Sequence, residues 1–349
     1  MLKEAIGVIP TSSMNMALVH LALRNGYPVD LGFHTKESRL LFEEERKIKE
    51  LPGIEFPDTP GLTIASNFSE AVKDKKIVFV TPRSWDLRTI LEEVAPYIRS
   101  DAILVCGTKG FDEYHKKFYT PSQVIEQMIP NSRNNLAIIS GPNFAGQIIN
   151  GVTTITTVAA HKKRIAQEVR DIVCNYNNNG NGKDFLVDIY KGNPQDVEIV
   201  GAFKNVVGFV MGFALTLDKF DTNTGAAILF EGLQEVSLLC KKMGRSSRAI
   251  MRPCGVGDYG LLMNSRVSRN VTAGENFGRG EWDLEYLMDP KHTIEGVRTV
   301  KAVAYLAGKR IKYMPLAAYA YLILYGGMNP QEAVRDLLEG KAPPISPLA

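Results

Sequence analysis

Cysteine is scarce in this sequence, and the histidines are scattered. The four cysteines contain no CxxC pair, which favours reduced thiols in a cytosolic protein over a disulfide framework. The five histidines lack the spacing typical of metal ligands. We therefore predict no bound metal and a cytoplasmic location. The residues concerned are Cys106, Cys174, Cys240 and Cys254, and His20, His34, His115, His161 and His292.

Long runs of one residue class are also absent. The net charge is +3, and no block of like charge is long enough to act as a nucleic-acid arm. The longest apolar run, Val206 to Leu217, is too short to span a bilayer, and the N-terminus has no signal-peptide layout. We expect neither a nucleic-acid partner nor membrane insertion. The mild positive charge is compatible with a small anionic substrate but does not require one.

The first half of the chain alternates short apolar runs with helical patterns. The chain opens with a β-α-β pattern, the arrangement that carries a dinucleotide in doubly wound proteins. It consists of a strand from Ala5 to Ile9, a helix that ends at Asn25 and Gly26, and a strand from Val29 to Phe33. Later apolar strands predict a parallel sheet covered by helices on both faces. After Pro194 the pattern is almost wholly helical. We therefore predict an α/β, doubly wound domain over residues 1–190 and a helical domain over residues 191–349.

Ligands of such sheets bind beyond the carboxyl ends of the strands. This rule predicts that the loops after five strands surround one crevice. The loops are Pro10 to Ser13, Phe33 to Lys36, Pro82 to Ser84 with Arg83 at its centre, Thr108 to Gly110, and Gly141 to Asn143.

The glycines of a dinucleotide fingerprint are missing from the first loop. The pattern G-x-G-x-x-G would occupy Pro10 to Asn15, where the sequence reads Pro-Thr-Ser-Ser-Met-Asn. One interpretation is an ordinary strand-to-helix turn with Ser12 or Ser13 as the N-cap. The other is a phosphate site in which the hydroxyls of Thr11, Ser12 and Ser13 supplement the free amides of the helix N-terminus.

The second strand lacks the acidic residue that would bind a ribose 2′-hydroxyl. It leads instead into His34-Thr35-Lys36. If a dinucleotide binds, the cationic side chains of His34 and Lys36 suit a 2′-phosphate. As solvated surface groups they would have no binding role.

One helix organises the second half, and we predict it from Pro194 to Leu217. Asn193 can act as N-cap and Pro194 fits the first helical position. At about 100° per residue, Gly201, Asn205, Gly208 and Gly212 form one narrow stripe, with Lys204 on its flank. Glycines in a helix cost about 1 kcal/mol each relative to alanine, so the stripe indicates close approach of another backbone or a ligand. Lys204 is either a buried proton donor with a lowered pKa or a lysine whose ammonium reaches the surface.

Other features of this half are less distinctive. A helix from Thr224 to Met243 should bury Phe230 among other apolar residues. Gly255 to Asp258 predicts a glycine-rich loop with one carboxylate. Arg269 and Asn270 are expected in an irregular loop, where the arginine either clamps an anion or is simply solvated. Asn175 to Gly182 predicts a surface loop, and Ala342 to Ala349 a loosely ordered tail.

Six short motifs occur here in the order and spacing of a known family. From about residue 5 to residue 337, the chain resembles the NAD(P)-dependent sn-glycerol-3-phosphate dehydrogenases. The resemblance implies a Rossmann-type N-terminal domain, a helical C-terminal domain, a homodimer, and reversible reduction of dihydroxyacetone phosphate with NAD or NADP as cofactor. The motifs are Thr108 to Gly110, Ser140 to Ala145, Gly201 to Val206, Gly257-Asp258, Ser268 to Asn270, and Glu295 to Thr299.

The resemblance also implies roles for individual residues. Lys204 matches the catalytic lysine that protonates the carbonyl oxygen, and Lys109 matches a second active-site lysine. Asn205 and Asp258 match groups that orient the substrate and the catalytic lysine. The remaining matches are Arg269 and Asn270 for the substrate phosphate and the cofactor-facing loop, Gly141 in a substrate-side motif, and Glu295 with Gly296 for the segment that closes over the nucleotide.

The chain departs from the family in three places. The glycine-rich turn is replaced, and His34 and Thr35 stand where the family has an Arg-Asp pair. Leu262 occupies the position of a family threonine, which removes one polar contact and could alter which phosphorylated ketone fits. The competing hypothesis is therefore a degenerate paralogue that binds a phosphorylated ligand without dinucleotide-dependent turnover.

Overall fold

The computed structural model describes residues 3–176, 183–263, 268–292 and 294–346. Most of the predicted surface loop from Asn175 to Gly182 and the end of the predicted tail lie outside the described residues. Contacts divide the chain into two units. The first comprises Met1–Thr108 and Pro121–Pro194, and the second comprises Lys109–Thr120 and Gln195–Ala349.

The strands are β1 Ile6–Ile9, β2 Val29–Leu31, β3 Leu62–Ile64, β4 Ile77–Val80, β5 Ile103–Cys106, β6 Asp112–Tyr114, β7 Lys117–Tyr119, β8 Leu136–Ser140, β9 Thr154–Ala160, β10 Asn175–Tyr176 and β11 Lys183–Tyr190. The helices are α1 Ser13–Arg24, α2 Lys36–Glu45, α3 Phe68–Val72, α4 Leu87–Val94, α5 Pro121–Met128, α6 Ala145–Ile149, α7 Lys163–Val173, α8 Pro194–Ala214, α9 Thr222–Lys242, α10 Asp258–Gly260, α11 Arg269–Gly278, α12 Leu284–Met288, α13 Glu295–Ala307, α14 Pro315–Tyr325 and α15 Pro330–Leu338.

The first unit is built on a nine-stranded sheet in the order β10-β11-β9-β8-β5-β4-β1-β2-β3. Six neighbouring strands of this sheet pair in parallel, in the order β3-β2-β1-β4-β5-β8. Strands β1, β4, β5 and β8 are buried throughout, because helices supply apolar side chains to the sheet. This is the Rossmann-like arrangement that the alternating pattern predicts.

Beyond the six parallel strands the direction of the sheet changes, which the sequence analysis did not address. Strand β9 pairs antiparallel with β8, and β10 pairs antiparallel with β11. Strand β11 then pairs in parallel with β9. Apolar strands of both directions look alike in sequence when both faces are covered, so the reversal leaves no local signal.

Within its described residues, the second unit has one β-hairpin, β6–β7, and otherwise consists of helices and their connections. Its central helix α8 ends at Ala214, three residues before the predicted end. This helix is long and apolar enough to cross a membrane by length and composition, but 94% of its most apolar window is buried inside the protein. Its hydrophobic character therefore reflects its place in the core.

The glycine stripe of α8 lies against another helix, as its spacing predicts. A Cβ at Gly212 would collide with the backbone carbonyl oxygen of Val271 in α11, and a Cβ at Gly274 would collide with that of Phe209 in α8. A Cβ at Gly208 would lie 3.4 Å from the Cβ of Asn270. Small residues on both helices thus bring their backbones into direct contact.

Helix α9 buries only part of the predicted face. Val236 and Leu239 are buried as predicted, but Phe230 is 60% exposed, and Ile228 and Glu235 are buried in addition. The Glu235 carboxylate is fully buried and accepts hydrogen bonds from the backbone N–H groups of Leu316 and Ala317. It thereby caps the first turn of α14, where backbone donors have no partner within the helix.

Candidate functional site

The carboxyl ends of β1, β2, β4 and β8 carry most of the predicted cofactor-side residues. Thr11, Ser12 and Ser13 follow β1, and His34 and Lys36 follow β2. Pro82 and Arg83 follow β4, and Gly141 follows β8. A Cβ at Gly141 would lie 2.9 Å from the Ile155 carbonyl oxygen, so this position requires glycine. The sheet order places these loops along one edge of the first unit.

The first of these loops has an internally bonded conformation. Pro10 joins Ile9 through a cis peptide bond, and both the N–H and the hydroxyl of Thr11 donate to the Gly32 carbonyl oxygen at 2.8 Å. Ser12 is the N-cap of α1, since its side chain accepts from the Asn15 N–H. The predicted N-cap is thus confirmed as Ser12, and Ser13 is the first helical residue.

Asn15 occupies the place of the last fingerprint glycine and is fully buried. Its side-chain nitrogen donates to the carbonyl oxygens of Ile9 at 2.9 Å and Pro10 at 2.7 Å. A family glycine at this point permits close packing of helix and strand. Here the amide fills the space between them and ties the turn to the helix.

The loop after β2 leads directly into a helix cap. Thr35 is the N-cap of α2 in a capping box with Ser38, and Lys36 is the exposed first helical residue. His34 lies 3.7 Å from a carboxylate oxygen of Asp86, and the Arg83 guanidinium donates to the same oxygen. Burial acts to raise the pKa of Asp86, but hydrogen bonds and charge from His34 and Arg83 outweigh it, so the pKa is lowered. The sequence analysis missed Asp86, which no motif marks.

In the second unit, two lysines converge on one carboxylate. The Lys204 ammonium donates to one oxygen of Asp258 at 2.6 Å, and the Lys109 ammonium donates to the other. The Asp258 side chain is 1% exposed, compared with 13% for Lys204 and 29% for Lys109. Lys204 comes from α8, Asp258 begins α10, and Lys109 precedes the β6–β7 hairpin. Residues 54 and 149 positions from Asp258 thus form one cluster.

The charges of this cluster shift its proton equilibria. Burial lowers the pKa of Lys204, Asp258 opposes that effect, and the neighbouring Lys109 charge adds to it; the net pKa is lowered. Burial alone would raise the pKa of Asp258, but the two ammonium groups keep it below its ordinary value. Two cations share a single anion, so the more buried cation, Lys204, is the group whose proton is held less tightly than in water.

A second set of polar groups joins α8, α11 and α13. The Asn270 side-chain nitrogen donates to the Asn205 side-chain oxygen at 2.9 Å, and the Gly296 N–H donates to the Asn270 side-chain oxygen at 2.8 Å. Asn205 is 8% exposed, and its side-chain nitrogen has no partner among the described residues. The structure thus groups Asn205, Asn270 and Gly296.

Two predicted loops are wholly or partly helical. Arg269 and Asn270 are the first residues of α11, with Ser268 as N-cap, so the expected irregular loop was wrong. Asp258 begins α10, and the preceding segment Pro253–Gly257 is tightly coiled with a kink at Gly255, whose backbone angles are not helical. The polar, glycine-rich composition resembled a loop because the packing partners of these turns are distant in sequence.

The remaining predicted positions are found at helix ends and in the core. Arg269 is exposed, whereas Glu295 is the first residue of α13 and is partly buried. The Glu295 carbonyl oxygen accepts from the Thr299 hydroxyl at 2.8 Å. Leu262 is 4% exposed and packs near Gly208 of α8, so the side chain in the place of a family hydroxyl is part of the core.

These features define a Rossmann-type α/β unit followed by a helical unit, the architecture of two-domain dehydrogenases. The family model for the NAD-dependent glycerol-3-phosphate dehydrogenase N-terminus matches residues 5–166, and that for the C-terminus matches residues 194–335. The chain therefore belongs to the NAD-dependent glycerol-3-phosphate dehydrogenase family, as the sequence motifs predict. The other comparisons agree with this assignment.

Two curated relatives are named glycerol-3-phosphate dehydrogenase [NAD(P)+]. That of Leptospira biflexa is 30% identical over 335 residues, 95% of this chain and 97% of the relative. That of Teredinibacter turnerae is 30% identical over 337 residues, 96% of this chain and 94% of the relative. The crystal structure of glycerol-3-phosphate dehydrogenase from Coxiella burnetii has the same fold, with a TM-score of 0.85 at 23% identity, covering 97% of this chain and all of that one.

Proposed function

We propose that this protein interconverts dihydroxyacetone phosphate and sn-glycerol 3-phosphate with NAD(P) as cofactor, and that Lys204 is the general acid and base. The observation that carries the proposal is the Lys109–Asp258–Lys204 cluster. Ketone reduction leaves negative charge on the carbonyl oxygen, which a positioned acid neutralises. Lys204 has the lowered pKa that such a proton donor needs.

A nicotinamide cofactor, when bound, supplies the hydride for this reaction. Lys204 gives its proton to the ketone oxygen as the carbonyl carbon gains hydride, so the C=O π bond is replaced by the C–H and O–H bonds of the alcohol. Asp258 holds the Lys204 ammonium in place. The positive charge of Lys109 lowers the pKa of Lys204, so the Lys204 proton is less tightly bound. Arg269 and Asn270 would bind the substrate phosphate, and Gly141 would line the substrate side of the first unit.

The first unit retains groups that fit a dinucleotide despite the missing glycines. The first turn of α1 contains no acidic residue, and its amides lie at the positive end of the helix dipole. Ser12 and Ser13 at this turn would border the pyrophosphate. Pro82 and Arg83, which follow β4, would border the nicotinamide side. Thr11 contributes by holding the turn, because its N–H and hydroxyl bind Gly32. Glu295 would contact the nucleotide, as its match to the family's nucleotide-associated segment implies.

We propose NAD or NADP as the cofactor, and a 2′-phosphate is compatible with the loop after β2 because His34 to Lys36 include no carboxylate. Thr35 uses its hydroxyl to cap α2, so it does not replace the missing acid. Lys36 is exposed there and offers positive charge to a 2′-phosphate, whereas the exposed His34 ring lies 3.7 Å from the Asp86 carboxylate. We also propose that the protein is a cytoplasmic homodimer that links carbohydrate to phospholipid metabolism.

The test is the rate of NADPH or NADH oxidation by purified protein when dihydroxyacetone phosphate is added. Lys204→Ala should lower kcat by about 10²- to 10⁴-fold, the range typical of a lost general acid. Lys309→Ala, which removes an exposed lysine of the same unit, is the matched control and should keep wild-type turnover. A Lys204→Ala variant with kcat within a few-fold of wild type would contradict the mechanism.

The competing hypothesis of a degenerate paralogue rests on the glycine-free turn. Titration with NADPH and NADH, followed by nucleotide fluorescence, separates it from the dehydrogenase. Tight nucleotide binding removes the case for degeneracy, whereas binding of glycerol 3-phosphate without nucleotide binding or turnover would support it.

A further inference from the structure

The β6–β7 hairpin begins three residues after Lys109, the lysine whose ammonium donates to Asp258. Gly110 turns the chain between them with a φ of +139°, a backbone angle that favours glycine. Phe111 is 4% exposed and is buried at the base of the hairpin. The base is therefore fixed, and the orientation of the two strands beyond it influences where the Lys109 backbone lies.

The turn of this hairpin is made by residues that do not favour it. His115 and Lys116 are its two central residues, with φ angles of +50° and +59°. Two-residue turns with positive φ at both positions favour Asn-Gly, because most other residues resist the left-handed conformation by roughly tenfold each. A two-stranded hairpin is also only marginally stable by itself in water. This hairpin therefore depends on contacts with the rest of the second unit to keep its orientation.

Helix α13 supplies such contacts to one face of the hairpin. Glu113 and Phe118 are directly opposite each other in the β6–β7 register, so their side chains point to the same side. Lys301 and Tyr305 are four positions apart on α13 and share a face of that helix. The Lys301 ammonium donates to both carboxylate oxygens of Glu113, at 2.9 and 2.8 Å. The ring centroids of Phe118 and Tyr305 are 5.7 Å apart.

Neither of these two contacts is strong by itself. The Glu113 and Lys301 side chains are 42% and 34% exposed, so water screens their attraction. Tyr305 is 40% exposed, so its ring contact is also partly open to water. One contact is made by β6 and the other by β7, and together they restrict rotation of the hairpin on α13. A change at either contact should therefore release the hairpin without unfolding the second unit.

We propose that Glu113 and Lys301 are positioning residues that hold the Lys109 ammonium at Asp258 by docking the β6–β7 hairpin on α13. Asp258 and Lys204 are the charged members of the cluster that Lys109 joins. When the hairpin leaves α13, the Lys109 charge moves away from both. The docking is a property of the ligand-free protein, and the proposal rests on the proposed function only for its effect on catalysis.

Acetylation of lysines in the ligand-free protein tests the docking without any turnover. Trace labelling with acetic anhydride, read by mass spectrometry, gives the reactivity of Lys109 relative to the exposed Lys309. Lys301→Glu and Glu113→Lys each place like charges opposite each other, and each should raise this ratio by about 3- to 10-fold. The two substitutions combined restore a pair of opposite charges and should return the ratio to its wild-type value. An unchanged ratio in the single variants, or no return in the combined variant, would overturn the proposal.

The pH–rate profile separates docking from a direct effect of the substituted charges. Release of the hairpin removes the Lys109 charge that lowers the pKa of Lys204, so both single variants should move the alkaline limb of ketone reduction to higher pH. The displacement should not exceed that of Lys109→Met. A direct field would act in opposite directions, because Lys301→Glu adds negative charge and Glu113→Lys adds positive charge. Limbs that move in opposite directions, or that stay in place, would overturn the proposal.

Two matched controls complete the experiment. Lys219→Glu makes the same charge change at an exposed lysine of the second unit and should leave both the labelling ratio and the limb unchanged. Tyr305→Phe keeps a ring against Phe118 and should behave as wild type, whereas Tyr305→Ala should raise the reactivity of Lys109. Raised reactivity in a protein without turnover would support the docking and count against the proposed function. Turnover with unchanged reactivity in the charge variants would do the reverse.

Discussion

Removing the Lys109 charge should change the pH dependence of catalysis in a direction set by the cluster. Lys109 and Lys204 bind opposite oxygens of Asp258, so each ammonium lies in the field of the other. The Lys109 charge lowers the pKa of Lys204. In Lys109→Met that contribution is lost, and the pKa of Lys204 should rise.

The size of the effect follows from Coulomb's law. Two like charges roughly 5 Å apart repel by about 3 kcal/mol at an effective dielectric constant of about 20. Lys109 is 29% exposed, so water screens part of this repulsion. We expect about 1–3 kcal/mol, and since about 1.4 kcal/mol is a tenfold change in an equilibrium, a pH–rate profile resolves it.

The sign is that of a proton donor in ketone reduction. Lys204 acts in its protonated form, so the rate falls as the pH rises through its pKa. Lys109→Met should therefore move the alkaline limb to higher pH, even though loss of an active-site lysine lowers the maximum. Asp258→Asn removes the anion that raises the pKa of Lys204 and should move the same limb to lower pH.

The assay is the initial rate of NADPH oxidation with saturating dihydroxyacetone phosphate across the neutral and alkaline range. Lys309→Met, which removes an exposed charge, should leave the limb in place. The reasoning is refuted if Lys109→Met and Asp258→Asn displace the limb in the same direction, or if Lys109→Met leaves it unmoved.

Two further predictions concern stability. Glu235→Gln leaves one of the Leu316 and Ala317 N–H groups without an acceptor in the core, so the free energy of unfolding in urea should fall by about 1–3 kcal/mol. The control is Glu231→Gln, one turn earlier on α9, where the side chain is partly exposed. Equal losses of stability in the two variants would contradict the capping role of Glu235. Gly212→Ala should destabilise the protein although alanine favours helices by about 1 kcal/mol, because its Cβ would meet the Val271 carbonyl oxygen. Gly260→Ala, whose Cβ would have open space, should not, and a melting temperature raised by Gly212→Ala would disprove the close contact.

Much of the local structure follows from neighbouring residues in the sequence. The start of α8 at Pro194, the positions of β1, β4 and β8, and the Ser12 cap match the predictions. Strand and helix periods and N-cap chemistry act over a few residues, so a single sequence contains the information they need. The glycine stripe of α8 likewise predicts a closely packed neighbour, but the sequence does not indicate which segment that neighbour is.

Only the tertiary structure decided which groups meet. In the structure, α11 is the neighbour of the glycine stripe, and Phe230 is exposed to solvent. Strand β9 runs antiparallel to β8, and Arg269 and Asn270 begin a helix. The tertiary structure also brought Lys109 and Lys204 onto the two oxygens of Asp258, a pairing between residues 149 and 54 positions apart. Such pairings depend on how whole helices pack and how much water they exclude, and neither quantity is encoded in the spacing of a short motif.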